Sequence, residues 1–131
     1  MLSMLRDSRS DSVRIRLLAC RVAPLNTSRH SRVTAPVALD DRVHPWQSYV
    51  ITLDHGVDRG RVAAHLKANG VQCNFGTYAS HVQPVYGFEG SLPVSADLFQ
   101  RHLAIPMHAN LSIDDVDVVT AHLRDAVAGA R

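Results

Sequence analysis

The spacing of apolar residues after residue 33 changes between strand and helix patterns, and the order of these segments restricts the fold. The segment 46–53 is rich in aromatic and β-branched residues, which is typical of a strand. Asp58 then provides an N-cap for a helix in which Val62 and Leu66 share one face, and residues 69–70, Asn-Gly, provide its end. The first two elements are therefore predicted to be a strand and a helix.

A second strand and a long loop are predicted next. Val71, Cys73 and Phe75 alternate with polar residues, as in a short strand. Residues 76–93 contain three glycines and Pro84, which favours a long loop with at most a helical turn.

The last third of the chain predicts a helix, a short strand and a final helix. Ser95 is a suitable cap for a helix through residue 102, and residues 103–106 favour a short edge strand because proline cannot donate to a ladder. Ser112 and Asp115 form a short capping box at the start of the final helix. The apolar stripe of this helix consists of Val116, Val119, Leu123 and Val127.

This order of elements predicts an α+β fold, a small two-layer sandwich in which a short sheet has helices on one face. A chain of 131 residues has room for one such domain and can bury an adequate core. No apolar run approaches the roughly 20 residues that a membrane span needs. Two cysteines, Cys20 and Cys73, cannot form a dense disulfide scaffold, so the predicted compartment is the cytoplasm.

The excess of positive charge is confined to residues 1–33, which contain seven arginines and two aspartates, a net charge of +5. The remaining residues hold seven lysines and arginines against ten acids, a balance of −3, and the two sums give the net charge of +2. We therefore predict a basic, weakly ordered leader over residues 1–33 and a folded domain over residues 34–131. A shifted reading frame or a misplaced start codon upstream would join an arginine-rich segment to a folded domain in this way.

Two other interpretations of the leader rank below a segment without function. An arginine-rich arm for nucleic acid or a membrane surface would be expected to carry aromatic residues that stack on bases, and none lies among these arginines. An organellar transit peptide is poor in acids, whereas this segment contains Asp7 and Asp11. Neither a nucleic acid nor a membrane is therefore expected as a partner.

Patterns for metal binding and nucleophilic catalysis are missing from the sequence. No two of the eight histidines are four residues apart, and there is no Cys-x-x-Cys pair, so no metal site is predicted. There is no Gly-x-Ser-x-Gly elbow, and residues 87–90, Gly-Phe-Glu-Gly, are assigned no phosphate role. The patterns supply no catalytic residue.

The segment 76–86, Gly-Thr-Tyr-Ala-Ser-His-Val-Gln-Pro-Val-Tyr, is the strongest candidate for a functional role. It places Tyr78, His81, Gln83 and Tyr86 in a predicted loop, and loops on a rigid scaffold are where binding groups concentrate. In the alternative, both tyrosine rings fill the base of the domain and the histidine is a partly buried spacer. The spacing by itself leaves both interpretations open.

Four blocks of sequence, taken together and in order, are similar to a known family. The blocks are residues 44–51 (His-Pro-Trp-Gln-Ser-Tyr-Val-Ile), 76–86, 102–108 (His-Leu-Ala-Ile-Pro-Met-His) and 111–117 (Leu-Ser-Ile-Asp-Asp-Val-Asp). They resemble the C-terminal small domain of the DegT/DnrJ/StrS family of pyridoxal-phosphate-dependent sugar aminotransferases. The resemblance covers about residues 33–127 and is most specific at residues 76–86.

The resemblance implies a truncated member of this family. The parent activity would move an amino group, usually from glutamate, to a keto-sugar nucleotide in polysaccharide or amino-sugar biosynthesis. In the family, a large N-terminal domain carries the pyridoxal phosphate and the lysine that forms an aldimine with it. Lys67, the one lysine here, is similar to nothing in the family's lysine motif. We therefore expect no bound cofactor and no activity from the chain alone.

The resemblance also implies roles for the loop residues and for partners. Tyr78 and His81 are expected to lie nearest to the substrate or cofactor and to orient it, while Gln83 and Tyr86 hold the loop in shape. The expected partner is an aminotransferase large domain or a homologous chain, with a nucleotide sugar bound by the complete enzyme. An alternative of a different class is a stand-alone interaction module that docks on a separate aminotransferase chain.

Overall fold

The computed structural model describes residues 22, 32–41, 44, 46–108 and 110–130. Within these ranges the strands are β1 (Val33–Thr34), β2 (Tyr49–Leu53), β3 (Asn74–Phe75) and β4 (His102–Ile105). The helices with defined bounds are α1 (Arg59–Ala68), α2 (Pro93–Arg101) and α3 (Ile113–Gly129). Most of the predicted leader, residues 1–21 and 23–31, lies outside the described residues, so its order and its boundary stay predictions.

The four strands form one antiparallel sheet in the order β1-β2-β4-β3. β4 therefore lies in the interior of the sheet, between β2 and β3, and the prediction that it is an edge strand is wrong. Pro106 does not interfere because it follows Ile105, the last paired residue, and its missing N–H is not needed in the ladder. The predicted α+β class is confirmed.

The core lies on one face of this sheet. Tyr49, Ile51 and Leu53 alternate along β2 and are fully buried. The register of β2 with β4 pairs the first two of them with Ile105 and Leu103, which are also buried. Helices α1 and α3 pack on each other and complete the core with Val62, Leu66, Val116, Val119, Leu123 and Val127. The apolar stripe predicted for the final helix is thereby confirmed.

Both long helices begin as the sequence predicts. The Asp58 side chain accepts a hydrogen bond from the backbone N–H of Arg61 at 3.0 Å, which caps α1. At the start of α3, the Ser112 hydroxyl accepts from the Asp115 N–H at 3.1 Å, and the Asp115 carboxylate accepts from the Ser112 N–H at 2.8 Å. This reciprocal pair is a capping box, and it satisfies backbone donors that the helix itself cannot satisfy.

Helix α2 differs from the prediction at both ends. It begins at Pro93, so Ser95 lies inside the helix and is not its N-cap. Proline suits the first helical position because its φ angle is preset and its missing N–H has no partner there in any case. The helix ends at Arg101, and His102, which the helical pattern included, instead opens β4 by pairing with Thr52.

The second predicted strand is also shorter than expected. Of the alternating residues, Val71 is buried and Cys73 is half-buried, yet both precede β3, and Phe75 is 46% exposed. Because β3 is an edge strand, Phe75 lies at the margin of the sheet rather than in the core.

Within the described part of the chain, no helix is both long and apolar enough to cross a membrane.

The capping box predicts how stability depends on pH. Hydrogen bonds from the Ser112 hydroxyl and backbone N–H lower the pKa of the Asp115 carboxyl. Since the folded-state pKa lies below the unfolded-state pKa, this carboxylate stabilises the fold above the unfolded value, and the contribution is lost as pH falls through the folded value. We expect Asp115→Asn to lower the urea midpoint at pH 7 and to leave little difference from the parent chain at pH 2.

Asp114→Asn is the matched control, because Asp114 lies in the same first turn but outside the capping box. It should lower the midpoint less than Asp115→Asn at pH 7. Equal midpoints for the two variants at every pH would contradict this role of Asp115.

Candidate functional site

The candidate site is the connection between β3 and α2, residues 76–92, which we call the aromatic loop. Two 3-10 turns, Ser80–Val82 and Pro84–Tyr86, give it a defined backbone. Gln83 joins the turns: its N–H donates to the Ser80 carbonyl at 3.0 Å, and its own carbonyl accepts from the Tyr86 N–H at 3.1 Å. The predicted long loop is confirmed, but it contains two 3-10 turns where at most one helical turn was expected.

Gly76 anchors the loop against the sheet face opposite the core. Its N–H donates to the His102 carbonyl at 3.3 Å. A Cβ at this position would lie 2.4 Å from Cγ1 of Val50 and 2.7 Å from Cβ of His102. Only glycine allows this approach, because real Cβ atoms do not come so close to a neighbour.

The His102 side chain beside this anchor is half-buried. Desolvation of its ring, assisted by the charge of Arg101, lowers the pKa of His102 and favours the neutral form.

The structure brings the four predicted site residues onto one loop but gives them different surroundings. The Tyr78 ring is 64% exposed and meets the edge of the Phe75 ring at a centroid distance of 5.8 Å. The half-buried His81 ring meets Phe88 edge-on at 5.9 Å. The Tyr86 ring is 65% exposed. The exposure of both tyrosines argues against the alternative in which their rings fill the base of the domain.

An open cleft of about 620 Å³ lies on the second half of the aromatic loop. Its lining residues include the polar His81, Gln83, Glu89 and Ser91 and the aromatic Phe88. Such a lining can orient a polar ligand by hydrogen bonds while an aromatic ring covers one side. Residues 87–90 were expected to have no phosphate role, and their sequence predicts this cleft only through its closeness to His81 and Tyr86.

Exposed apolar side chains are concentrated on the same part of the chain. Twelve large apolar residues are exposed among the described residues, and eight of them fall within residues 75–94. These eight, which we call the apolar surface, are Phe75, Tyr78, Val82, Val85, Tyr86, Phe88, Leu92 and Val94. Glu89 is the one carboxylate in this segment, which contains no lysine or arginine. Concentrations of exposed apolar side chains with few charges are typical of interaction sites.

Helix α2 holds the far end of the aromatic loop in place. The Arg101 guanidinium donates to both oxygens of Asp97, with Nε at 2.9 and 3.0 Å, and its Nη1 donates to the Leu53 carbonyl at 2.9 Å. The hydrogen bond from Arg101 lowers the pKa of the Asp97 carboxyl and so favours the ion pair. The helix that follows the loop is thus fixed to β2.

No side chain in the described cleft is suited to covalent attachment of a cofactor. Lys67 is exposed in the last turn of α1, a different element from the aromatic loop. The described residues contain no group of three histidines, cysteines or carboxylates able to hold a metal ion. The polar and aromatic residues that line the cleft are of the kind that bind and orient a ligand.

Solved aminotransferases share this fold. One is TlmJ from Streptoalloteichus hindustanus, which is 30% identical and superposes with a TM-score of 0.74 over 88% of this chain. Another is a sugar aminotransferase from Streptococcus pneumoniae in its pyridoxamine-phosphate form, with a TM-score of 0.77 over 92% of this chain and 14% identity. The second likeness concerns the fold only, and the same Streptococcus protein has also been solved in a pyridoxal-phosphate form.

The sequence model of the DegT/DnrJ/EryC1/StrS aminotransferase family matches residues 8–124, and the chain belongs to this family. The family is pyridoxal-phosphate-dependent. The match begins earlier than the resemblance found at residues 33–127 and includes much of the predicted leader, whose boundary at residue 33 stays a prediction.

A curated relative is the spore coat polysaccharide biosynthesis protein SpsC from Bacillus subtilis, which is 34% identical over 107 residues. The aligned part is 72% of this chain and 27% of SpsC. The chain likewise spans 31% of the TlmJ chain and 31% of the Streptococcus chain. It therefore corresponds to about a third or less of these relatives.

The close approach of Gly76 to the sheet predicts the effect of one added methyl group. Gly76→Ala places that methyl against Val50 and His102, so the loop or the strands must shift, and we expect a loss of about 1–3 kcal/mol in the free energy of unfolding. Gly129→Ala is the control, since its Cβ would meet nothing within 4 Å and alanine favours the helix by about 0.5–1 kcal/mol. Urea denaturation measures both, and equal stability of the two variants would contradict the assigned anchor.

Proposed function

We propose that this chain is the small, cofactor-free part of a pyridoxal-phosphate-dependent aminotransferase that acts on keto-sugar nucleotides in the cytoplasm. Its aromatic loop would form one wall of a cleft whose other wall, with the cofactor, belongs to the large part of the enzyme. Family membership supports the class of reaction. The observation that carries the proposal is the apolar surface on the aromatic loop and its two flanking residues, Phe75 and Val94, because an exposed surface of this kind calls for a covering partner.

The composition of the apolar surface supports a protein partner rather than a polyanion. Val85 is 84% exposed and Val94 72% exposed, and neither has a reason to face water in an isolated domain. The segment that contains them offers no lysine or arginine to pair with phosphate or nucleic acid. An interface core depleted in charge and enriched in aromatic side chains has this character.

The chain's own residues do not fit pyridoxal phosphate. Attachment of this cofactor requires a lysine whose amine is activated in an apolar pocket or beside another cation. Lys67 is an exposed residue in the last turn of a helix, and the cleft lining includes no lysine. When the cofactor is bound in the complete enzyme it serves as the electron sink of amino transfer. We propose that the 131-residue chain alone does not catalyse this reaction.

The proposed roles of the loop residues follow from their chemistry. The Tyr78 hydroxyl and the His81 imidazole would donate or accept hydrogen bonds that orient the nucleotide sugar or the cofactor. Gln83 joins the two turns through its backbone, so it would hold the loop in shape together with Tyr86. None of the four is assigned a proton-transfer step.

A chimaera tests this function. In TlmJ, the region that superposes on this chain is replaced by the chain itself, and amino transfer from glutamate to a keto-sugar nucleotide is measured. Loss of one hydrogen bond to the ligand costs about 1–1.5 kcal/mol, so Tyr78→Phe and His81→Ala should each lower kcat/KM roughly tenfold. Tyr86→Phe is the matched control, because it removes the same hydroxyl from a ring assigned only a supporting role.

Two results would overturn the proposal. One is a chimaera that binds pyridoxal phosphate and transfers the amino group equally well with all three substitutions. The other is a stoichiometric, borohydride-trapped pyridoxal adduct on the isolated chain that disappears in Lys67→Ala.

A second candidate function is a stand-alone module that docks on a separate aminotransferase chain, and the same apolar surface favours it. We expect the 131-residue chain to bind TlmJ from which the superposed region has been deleted. A Val85→Asp, Val94→Asp double variant should weaken this binding at least roughly tenfold, because the interface would bury charges without partners. Val37→Asp is the control, since Val37 is 78% exposed but lies outside the surface.

Sedimentation velocity measures the complex. No complex with the parent chain would rule out docking as a separate polypeptide and leave the covalently continuous enzyme as the one proposed function. Equal binding by the Val37 variant and the double variant would show that the apolar surface is not the contact.

A further inference from the structure

Arg59, the first residue of α1, lies beside two neighbouring aromatic rings at the edge of the sheet. Its guanidinium carbon is 4.4 Å from the centroid of the Phe75 ring and 5.2 Å from that of Phe99. The two rings are themselves 5.8 Å apart. Arginine suits such a place because its planar, weakly hydrated cation stacks on aromatic faces. The residue joins the start of α1 to β3 and α2.

The same guanidinium also contacts backbone carbonyl groups at the junction of α2 and β4. Its Nη1 donates to the Phe99 carbonyl and lies 3.5 Å from the His102 carbonyl. The His102 carbonyl also accepts the N–H of Gly76, the first residue of the aromatic loop. Arg59 therefore contacts the start of the aromatic loop in two ways. It contacts the ring of Phe75, which precedes Gly76, and the His102 carbonyl, to which Gly76 is bound.

We infer that Arg59 is a positioning residue for Tyr78, acting through the Phe75 ring. The Phe75 ring contacts the Arg59 guanidinium and also meets the Tyr78 ring edge-on, at an interplanar angle of 81°. Tyr78 is largely exposed, so this edge contact restricts a ring that would otherwise sample several rotamers. The inference rests on the proposed function in one respect, the role of Tyr78 in orienting a ligand.

Arginine is required for this role rather than positive charge alone. A lysine ammonium is a compact, strongly hydrated charge that cannot stack along two rings while donating to a carbonyl. Burial lowers the pKa of Arg59, yet arginine stays charged in proteins, so pH does not release the contact. Arg59→Lys therefore keeps the charge and removes the stacking geometry.

The test follows the tyrosine rings in the full 131-residue chain. The chain has three tyrosines, at positions 49, 78 and 86. Labelling with 3-fluorotyrosine should give three 19F resonances, and Tyr78→Phe identifies that of Tyr78. In Arg59→Lys we expect the Tyr78 resonance to move toward its position in the urea-unfolded chain, while the buried Tyr49 resonance stays in place. Arg124→Lys, an exposed position on α3, is the matched control and should move neither.

A Tyr78 resonance that keeps its position in Arg59→Lys, with the Tyr49 resonance native, would overturn the inference. If Arg59→Lys shifts the Tyr49 resonance as well, the variant has lost its fold, and Phe75→Leu decides the matter. This variant removes the ring that contacts both Arg59 and Tyr78 and keeps the hydrogen bonds of Arg59, so it must move the Tyr78 resonance alone. An unmoved Tyr78 resonance in Phe75→Leu overturns the inference.

The chimaera separates this inference from the proposed function. If the Tyr78 resonance moves in Arg59→Lys but the Tyr78→Phe chimaera keeps its rate, Arg59 positions Tyr78 and Tyr78 does not act on the ligand. If the Tyr78→Phe chimaera loses rate while the resonance in Arg59→Lys does not move, Tyr78 acts on the ligand without help from Arg59.

Discussion

The antiparallel pairing of β2 with β4 is the interaction on which the rest of the structure depends. It places Ile51 opposite Leu103 and Tyr49 opposite Ile105, so that all four side chains face α1 and α3. The same register leaves the backbone of His102 available to hold Gly76, the start of the aromatic loop. The core and the candidate site therefore share one strand, with the apolar side chains on one face and the loop against the other.

The aromatic loop combines a well-defined backbone with exposed aromatic and apolar side chains. Backbone hydrogen bonds within its two turns, the approach of Gly76 to the sheet and the attachment of α2 through Arg101 restrict its path. An apolar surface whose backbone is held by such contacts suits a permanent contact, because less conformational entropy is lost on binding. Membership of the aminotransferase family, together with a length of about a third of its relatives, supports a large domain as the proposed partner.

Part of the candidate site was predictable from the sequence. Tyr78 and His81 stood out because polar and aromatic residues are crowded in a glycine-containing loop, although their proposed roles remain untested. The contacts of Arg59 could not be predicted, because the guanidinium meets Phe99 from a position 40 residues away. Phe88 and Glu89 are part of no sequence motif that predicts a binding site. They line the cleft in the folded chain, directly after the turn Pro84–Tyr86.

The sequence by itself determined the α+β class, the caps of α1 and α3 at Asp58 and Ser112, and the buried stripe of α3. These features depend on neighbours within one or two turns, so local spacing suffices to predict them. The tertiary structure decided that β4 lies inside the sheet, that His102 belongs to a strand and that Phe75 lies at the margin of the core. Each of these features depends on which strands pair with each other. Pairing between distant segments is set by the burial of the whole core, so it cannot be predicted from a local sequence pattern.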